Sequence, residues 1–188
     1  MLAAGGSSRF GAPKQLVEHG GVPVVRRAAM AALEAGARSV VVVLGADSDK
    51  VLPALVGLPG VRVALNTRWE QGLASSLASG LSALAENPEI DAALVMLADQ
   101  PFIDAYALRN LIDAFGPNRI VASAYSNTIG VPAIIGREHF AELSMLEGDR
   151  GAGPWLRERR SKVTAIPLPA SPLDIDTPED VERLRGLD

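Results

Sequence analysis

The chain has no cysteine and only two histidines among its 188 residues. Without thiols it forms no disulfide and offers no thiolate ligand, so a metal site must use oxygen atoms or these two imidazoles. No stretch approaches the ~20 continuous apolar residues of a membrane span, and the first residues lack the basic region and apolar core of a signal peptide. We therefore expect a cytoplasmic protein with no membrane partner.

The chain also lacks a concentration of positive charge. Its formal net charge is −4, and no run of lysine or arginine exceeds two residues. Binding to nucleic acid through the phosphate backbone is therefore not expected, and any basic site must be local. With 48% hydrophobic residues, a chain of this length fits one globular domain over residues 1–188.

Apolar, β-branched runs alternate with helical patterns along the chain. The runs predict strands at residues 39–44, 61–65, 92–97, 120–122 and 163–166, and apolar spacing predicts helices within 25–33, 73–84 and 108–115. Nearly continuous apolar strands suit a parallel sheet that is covered on both faces. Residues 131–135 follow the preceding strand too closely for a crossover helix, so this strand is predicted to be antiparallel. The sequence indicates a three-layer, Rossmann-like α/β fold with a ligand crevice at the carboxyl ends of the strands.

The most informative segment is the glycine-rich loop, residues 2–14, which reads LAAGGSSRFGAPK. Its glycines let backbone N–H groups approach phosphate oxygens, while Arg9 and Lys14 supply positive charge. The spacing matches neither a Walker A run nor G-x-G-x-x-G. The alternative is an ordinary surface turn that leads into a helix. Because only residues 1–4 precede the first glycine of this segment, either the opening strand is short or the natural chain begins further upstream.

A carboxylate ends the apolar strand predicted at residues 92–97. Asp99 follows that strand, and Pro101 stops its hydrogen-bond ladder. At the carboxyl edge of the sheet, Asp99 is suited to hold Mg²⁺ against phosphate oxygens. The alternative is that Asp99 only caps the next helix, a position for which Asp104 is better placed.

A second acidic segment precedes the last helical pattern. Thr177 and Asp180 have capping-box spacing, and Pro178 suits the first helical position. Capping leaves Asp176 unexplained, so this residue is a candidate second magnesium ligand, with Asp174 as its competitor.

Polar residues also gather between the strand at 61–65 and the next helix. They suit hydrogen bonding to a base and ribose, although the serines could equally be helix caps and the tryptophan is better explained by packing. These residues are Asn66, Trp69, Gly72, Ser75 and Ser76.

Two turn-rich segments, residues 130–132 and 148–153, are candidates for shaping the pocket of a second substrate. His19 and His139 have no partner at catalytic spacing, and we interpret both as structural or surface residues. No Ser-His-Asp arrangement is visible in the sequence.

Taken in order, these segments resemble the molybdenum cofactor nucleotidyltransferases over nearly the whole chain. Ala4 makes the loop most similar to that of the cytidylyltransferase branch. The resemblance implies that Arg9 and Lys14 bind the triphosphate and act in catalysis with Asp99, and that Asp99 and Asp176 hold Mg²⁺. It also implies a nucleotide-binding set of Leu2, Ala3, Ala4, Gly5, Gly6, Ser7, Asn66, Gly72 and Ser76.

The resemblance implies that CTP and the phosphate of molybdenum cofactor react to release pyrophosphate. It also implies a molybdoenzyme or its chaperone as a candidate partner that receives the modified cofactor. Two departures leave the acceptor open: Val131 stands where the family has histidine, and Gly153 stands where it has arginine. The alternatives are a sugar phosphate or other phosphorylated metabolite as acceptor, or a noncatalytic nucleotide-binding accessory. An oxidoreductase is disfavoured, because the chain shows no dinucleotide fingerprint and no cysteine pair.

Overall fold

The computed structural model describes residues 1–7, 10–117, 119–125, 128–168, 175 and 177–185. In these ranges the strands are β1 (Leu2–Ala3), β2 (Glu18–His19), β3 (Val22–Pro23), β4 (Val40–Leu44), β5 (Val61–Leu65), β6 (Ala92–Val95), β7 (Ile120–Tyr125), β8 (Thr128–Gly136) and β9 (Thr164–Pro167). The helices are α1 (Val24–Glu34), α2 (Ser48–Leu55), α3 (Leu73–Ala85), α4 (Ala105–Asp113), α5 (Phe140–Leu143), α6 (Ala152–Glu158) and α7 (Pro178–Arg185). The longest described helix, α3, has 13 residues, and no helix in these ranges is long and apolar enough to cross a membrane.

A continuous row of strands forms the centre of the molecule, in the order β5-β4-β1-β6-β8-β7-β9. Strands β1, β4 and β5 are parallel, a parallel bridge joins β1 to Leu97 just beyond β6, and β7 is parallel to β9. Strand β8 runs antiparallel to both β6 and β7. The α/β class, the parallel sheet and the antiparallel strand predicted at residues 131–135 are therefore confirmed. Strands β2 and β3 form a small separate hairpin.

The sheet is covered on both faces, as the continuous apolar strands predict. Alternate residues of β4 point to opposite sides. Val40, Val42 and Leu44 pack with side chains of α1, α2 and α4, whereas Val41 and Val43 pack with side chains of α3, α5 and α6. Both faces of β4 are thus buried between two helical layers, which gives the predicted three-layer architecture.

Sequence patterning finds the long elements and misses the short ones. Helix α2 has eight residues and contains Pro53, which normally breaks a helix interior. It forms because Val51 and Leu55, one turn apart, are both buried against the sheet. Helix α6 begins inside the segment predicted only as a turn, and its Trp155 and Leu156 are buried in the core.

Both helix starts predicted from capping residues are confirmed. Asp104 Oδ1 accepts a hydrogen bond of 2.8 Å from the Ala107 N–H at the start of α4. At the start of α7, the Thr177 N–H and hydroxyl donate to Asp180 Oδ2, and the Asp180 N–H donates to Thr177 Oγ1 at 3.3 Å. Pro178 is the first residue of α7, where its missing N–H removes no helical bond.

Two leucines paired across neighbouring strands provide a test of this packing. Leu44 of β4 is fully buried, whereas its register partner Leu65 on β5 is 64% exposed. We expect Leu44→Ala to lower the free energy of unfolding by about 2–5 kcal/mol because it leaves a cavity. Leu65→Ala should change it by only about 0.5 kcal/mol. Urea denaturation of both variants measures the difference, and equal losses would contradict the layer arrangement.

Candidate active site

A cleft of about 490 Å³ opens where β1 and β6 end. Its position matches the crevice predicted at the carboxyl ends of the strands. The lining residues come from the glycine-rich loop, the segment after β6, the start of α3 and the turn before α6. They are Leu2, Ala3, Ala4, Gly5, Gly6, Lys14, Gln15, Trp69, Glu70, Gly72, Leu73, Ser76, Leu97, Ala98, Asp99 and Asp149.

The short first strand brings the two sides of the cleft together. The Leu2 N–H donates to the Met96 carbonyl at 2.9 Å, and the Ala98 N–H donates to the Leu2 carbonyl at 3.1 Å. These bonds lie immediately before Asp99 on one chain segment and shortly before the first glycine, Gly5, on the other. The loop therefore leaves the sheet beside Asp99.

Lys14 and Asp99 form an ion pair in the cleft. Lys14 Nζ lies 2.5 Å from Asp99 Oδ2, and the two side chains are 19% and 15% exposed. The other carboxylate oxygen, Asp99 Oδ1, is buried and accepts no hydrogen bond from the described residues. Because a buried carboxylate oxygen needs a donor or a cation, this atom fits a role as ligand to a divalent metal.

Ser7 folds the glycine-rich loop back on itself. The Ser7 carbonyl accepts hydrogen bonds from the Phe10 and Gly11 N–H groups at 2.8 and 3.2 Å. Its hydroxyl oxygen accepts from the Lys14 N–H at 3.0 Å. Gly11 has a φ of 76°, a conformation that favours glycine. These contacts fix the backbone from which the Lys14 side chain reaches Asp99.

Gln15 lines the cleft and is only 3% exposed. Its Nε2 donates to the Ala3 carbonyl at 2.8 Å and to the Gly5 carbonyl at 3.0 Å. Sequence reasoning missed this residue, because a single glutamine between Lys14 and Leu16 matches no motif. The available signal was an amide side chain next to the candidate catalytic lysine.

Asn66 lies behind the cleft and is not one of its lining residues. It is 5% exposed, and its Nδ2 donates to Ser75 Oγ at 2.8 Å and to Ser76 Oγ at 3.1 Å. Its Oδ1 accepts from the Arg68 N–H at 2.9 Å. In this structure Asn66 therefore orients Ser76, which does line the cleft, while Ser75 also donates to the Gly72 carbonyl.

Trp69 lies in the wall of the cleft, packed against the glycine-rich loop. A Cβ atom on Gly6 would lie 3.1 Å from its ring, and one on Gly45 would lie 2.6 Å from its Cβ. The tryptophan also contacts the hydrophobic core, which agrees with its interpretation as a packing residue.

The turn before α6 closes against the start of α3 at Gly72. Gly72 has a φ of 97°, and a Cβ there would lie 2.4 Å from the Gly148 carbonyl oxygen and 2.7 Å from Asp149 Oδ1. The Gly148 carbonyl also accepts from the Ala74 N–H at 3.0 Å. Only glycine fits this contact, which brings Asp149 into the cleft.

The described lining residues carry three carboxylates, on Glu70, Asp99 and Asp149, and one ammonium, on Lys14. This surface alone does not attract a polyanion. A triphosphate bound here would need further positive charge. Sequence reasoning assigned no role to Glu70, because this residue is not part of a recognisable motif.

Arg9, Asp174 and Asp176 are outside the described residues. The Ile175 N–H donates to the Asp99 carbonyl at 3.0 Å, so the residue immediately before Asp176 in sequence is joined to the segment that follows β6. The described residues contain no group of three or more histidine, aspartate and glutamate side chains positioned to hold a metal.

Neither histidine lies in the cleft, and each packs edge-on against an aromatic ring: His19 on Phe102 and His139 on Trp155. Residues 130–132 and Gly153 are also not among the cleft-lining residues. Of the two segments predicted to shape a second pocket, only the turn at 148–153 reaches the cleft, through Asp149.

Comparison with known proteins agrees with this geometry. A model of the MobA-like NTP transferase domain matches residues 1–163. A nicotine blue oxidoreductase from Paenarthrobacter nicotinovorans is 33% identical over 196 aligned positions, covering 98% of this chain and 94% of that protein. A 3-deoxy-manno-octulosonate cytidylyltransferase from Methylococcus capsulatus is 34% identical over 175 positions, covering 85% of this chain and 63% of that protein.

Solved structures show the same similarity. The crystal structure of Rv0371c from Mycobacterium tuberculosis H37Rv matches with a TM-score of 0.84 at 32% identity, covering 97% of this chain and 94% of that one. A crystal structure of Rv0371c in complex with manganese matches with a TM-score of 0.79 at 29% identity and the same coverage. Sequence and fold together place the chain in the family of MobA-like NTP transferase domains.

Proposed function

We propose that the protein transfers a nucleotidyl group, with CTP as the preferred donor, to the phosphate of molybdenum cofactor and releases pyrophosphate. The observation that carries the proposal is the meeting of Lys14 and Asp99, 2.5 Å apart, in a cleft bordered by a glycine-rich loop. A lysine beside a carboxylate at this edge of an α/β sheet suits the binding of a nucleotide phosphate chain.

The proposed reaction needs no general base. The acceptor phosphate is already anionic at neutral pH, and its oxygen attacks the α-phosphorus as the bond from that phosphorus to the leaving pyrophosphate breaks. Catalysis then depends on alignment and on neutralising charge at the leaving group, the role we assign to Lys14 and Arg9.

The nucleotide itself would be bound by backbone and small side chains. We assign Leu2, Ala3, Ala4, Gly5 and Gly6 to contacts along the nucleotide, with Ser7 holding the loop in place. Gly72 and Ser76 lie on the α3 side of the same cleft, where we place the base and ribose. Asn66 supports Ser76 from behind.

A divalent cation, Mg²⁺, fits the same site, with Asp99 and Asp176 as the protein ligands. Support comes from the buried Asp99 Oδ1 atom and from the bond that joins Ile175 to Asp99. Mg²⁺ is usually bound by one or two carboxylates together with substrate phosphates, so a larger ligand cluster is not required. When bound, the metal would neutralise phosphate charge beside the carboxylates of the cleft.

The acceptor has a second candidate, a sugar phosphate or other phosphorylated metabolite. The similarity to a relative named as a cytidylyltransferase for 3-deoxy-manno-octulosonate favours it, as do Val131 and Gly153 at positions where the molybdenum cofactor enzymes differ.

Two alternatives change the class of function and not the acceptor. The first is a noncatalytic protein that binds nucleotide. The name of the nicotine blue oxidoreductase relative adds a redox alternative, which we disfavour because this sequence has no dinucleotide fingerprint.

Removing either charge of the ion pair between Lys14 and Asp99 should slow catalysis strongly. We expect Lys14→Met and Asp99→Asn each to lower kcat by at least ~10²-fold, the scale for loss of one electrostatic stabiliser. Pyrophosphate release from CTP with Mg²⁺ and acceptor measures the effect. Lys50→Met is a matched control, since Lys50 forms an exposed ion pair of 2.6 Å with Asp47 away from the cleft. Near-normal turnover of either cleft variant would refute the role assigned to that residue.

The acceptor should be identified by a pyrophosphate-release screen. CTP, GTP, ATP and UTP are each combined with purified molybdenum cofactor and with a set of sugar phosphates. We expect release with CTP and molybdenum cofactor. Release only with a sugar phosphate would support the alternative acceptor. CTP binding with no turnover on any acceptor would support the accessory protein, and oxidation of NADH in a parallel assay would support the redox alternative.

Removal of divalent metal should abolish turnover reversibly. We expect excess EDTA to reduce pyrophosphate release to background and added Mg²⁺ or Mn²⁺ to restore it, because the described cleft carries more negative than positive charge. Circular dichroism before and after chelation controls for unfolding. Full turnover in EDTA would contradict the metal assignment without affecting the fold.

A further inference from the structure

We infer that Gln15 is the positioning residue of the glycine-rich loop, setting the backbone to which the phosphate chain of the nucleotide binds. The inference rests on the proposed function, since it requires a triphosphate in the cleft. Gln15 uses both N–H bonds of its side-chain amide on the first turn of the loop, at Ala3 and Gly5. It is among the five polar or charged residues identified as buried in the described chain.

The two carbonyls that Gln15 binds belong to residues that line the cleft. A carbonyl oxygen carries partial negative charge and repels a phosphate oxygen at close range. By donating to both carbonyls, Gln15 holds them toward its own buried amide and satisfies them there. Ala3 belongs to β1 and is held by its pairing with Leu44, whereas Gly5 lies beyond the strand. Without the Gln15 donor, the Gly5 carbonyl would lose this hydrogen bond and could turn toward the space that the phosphates need.

Gln15 also connects the two ends of the loop. It follows Lys14 directly in the sequence, and the Ser7 hydroxyl, which accepts from the Lys14 N–H, lies 3.5 Å from Gln15 Oε1. One buried side chain therefore contacts the start of the loop at Ala3 and Gly5 and the fold-back at Ser7. The position of the Lys14 ammonium relative to the loop backbone depends on these contacts.

Two nearly isosteric substitutions separate this role from simple packing. Gln15→Met keeps the length of the side chain and removes the amide, whereas Gln15→Glu keeps the shape and replaces the NH₂ group with an acceptor. The probes are CTP, inorganic tripolyphosphate and cytidine, each with Mg²⁺, and their dissociation constants are measured by isothermal titration calorimetry. Val51→Ala is the stability control, because Val51 is fully buried in the core and is not a cleft-lining residue.

We expect Gln15→Met to weaken tripolyphosphate and CTP about tenfold, the scale for losing one or two hydrogen bonds, and to leave cytidine unchanged. Gln15→Glu should weaken them about a hundredfold, since it adds negative charge beside the loop carbonyls. Val51→Ala should lower Tm and change none of the three constants. A protonated glutamate regains one donor, so the gap between Gln15→Glu and the wild-type protein should narrow as the pH falls from about 8 to about 5.

The outcomes separate this inference from the proposed function. If folded Gln15→Met binds tripolyphosphate as tightly as the wild-type protein does, the inference is wrong and the proposed function stands. If affinity for tripolyphosphate and for cytidine falls in parallel with Tm, Gln15 is only a structural residue and the inference is also wrong. If the wild-type protein binds neither CTP nor tripolyphosphate, the proposed function fails, and the inference fails with it.

Discussion

The cleft depends on the pairing of one residue, Leu2, with the segment immediately after β6. Two hydrogen bonds, from the Leu2 N–H to Met96 and from the Ala98 N–H to the Leu2 carbonyl, join the half of the sheet that contains β1, β4 and β5 to the half that contains β6 to β9. They also fix where the glycine-rich loop begins relative to Asp99. A shift of two residues in this register would move the loop by about 7 Å along the sheet, which is far beyond the reach of an ion pair. The fold and the candidate site therefore depend on the same contact.

Buried polar side chains shape the two walls of the cleft. Gln15 stands behind the glycine-rich loop, and Asn66 stands behind the start of α3, where it binds the hydroxyls of Ser75 and Ser76. Burying an amide is costly unless its hydrogen bonds are made, and here each amide binds groups of the cleft wall itself. The hydrogen bonds that stabilise the interior thus also hold the wall in one arrangement before a ligand arrives, which lowers the ordering cost of binding.

The elements that the sequence predicts well are those whose signal is local. Strands β4 and β6 are apolar runs bounded by polar residues, and Asp104 and Thr177 precede their helices at capping spacing, so each can be identified within about ten residues of chain. The ligand crevice follows from the strand order because parallel strands end on one side. Gln15 and Glu70 could not be predicted in this way. Their positions in the cleft arise from tertiary contacts between distant segments, and a lone glutamine or glutamate carries no periodicity or spacing to mark it.

On the proposed function, the ion pair between Lys14 and Asp99 also gives a reason why a cleft with excess carboxylate would accept a polyanion. The two side chains are only 19% and 15% exposed, so breaking this pair without a replacement would be costly for both charges. On the proposed function, a metal-bound triphosphate would supply a cation for the Asp99 carboxylate and phosphate oxygens for the Lys14 ammonium. The pair would then be replaced by two new pairs, and neither charge would lose its compensation. A nucleotide without its metal would satisfy Lys14 but would place its phosphates against Asp99, Glu70 and Asp149. On the proposed function, this cleft therefore selects the metal complex of the nucleotide over the free nucleotide by charge balance.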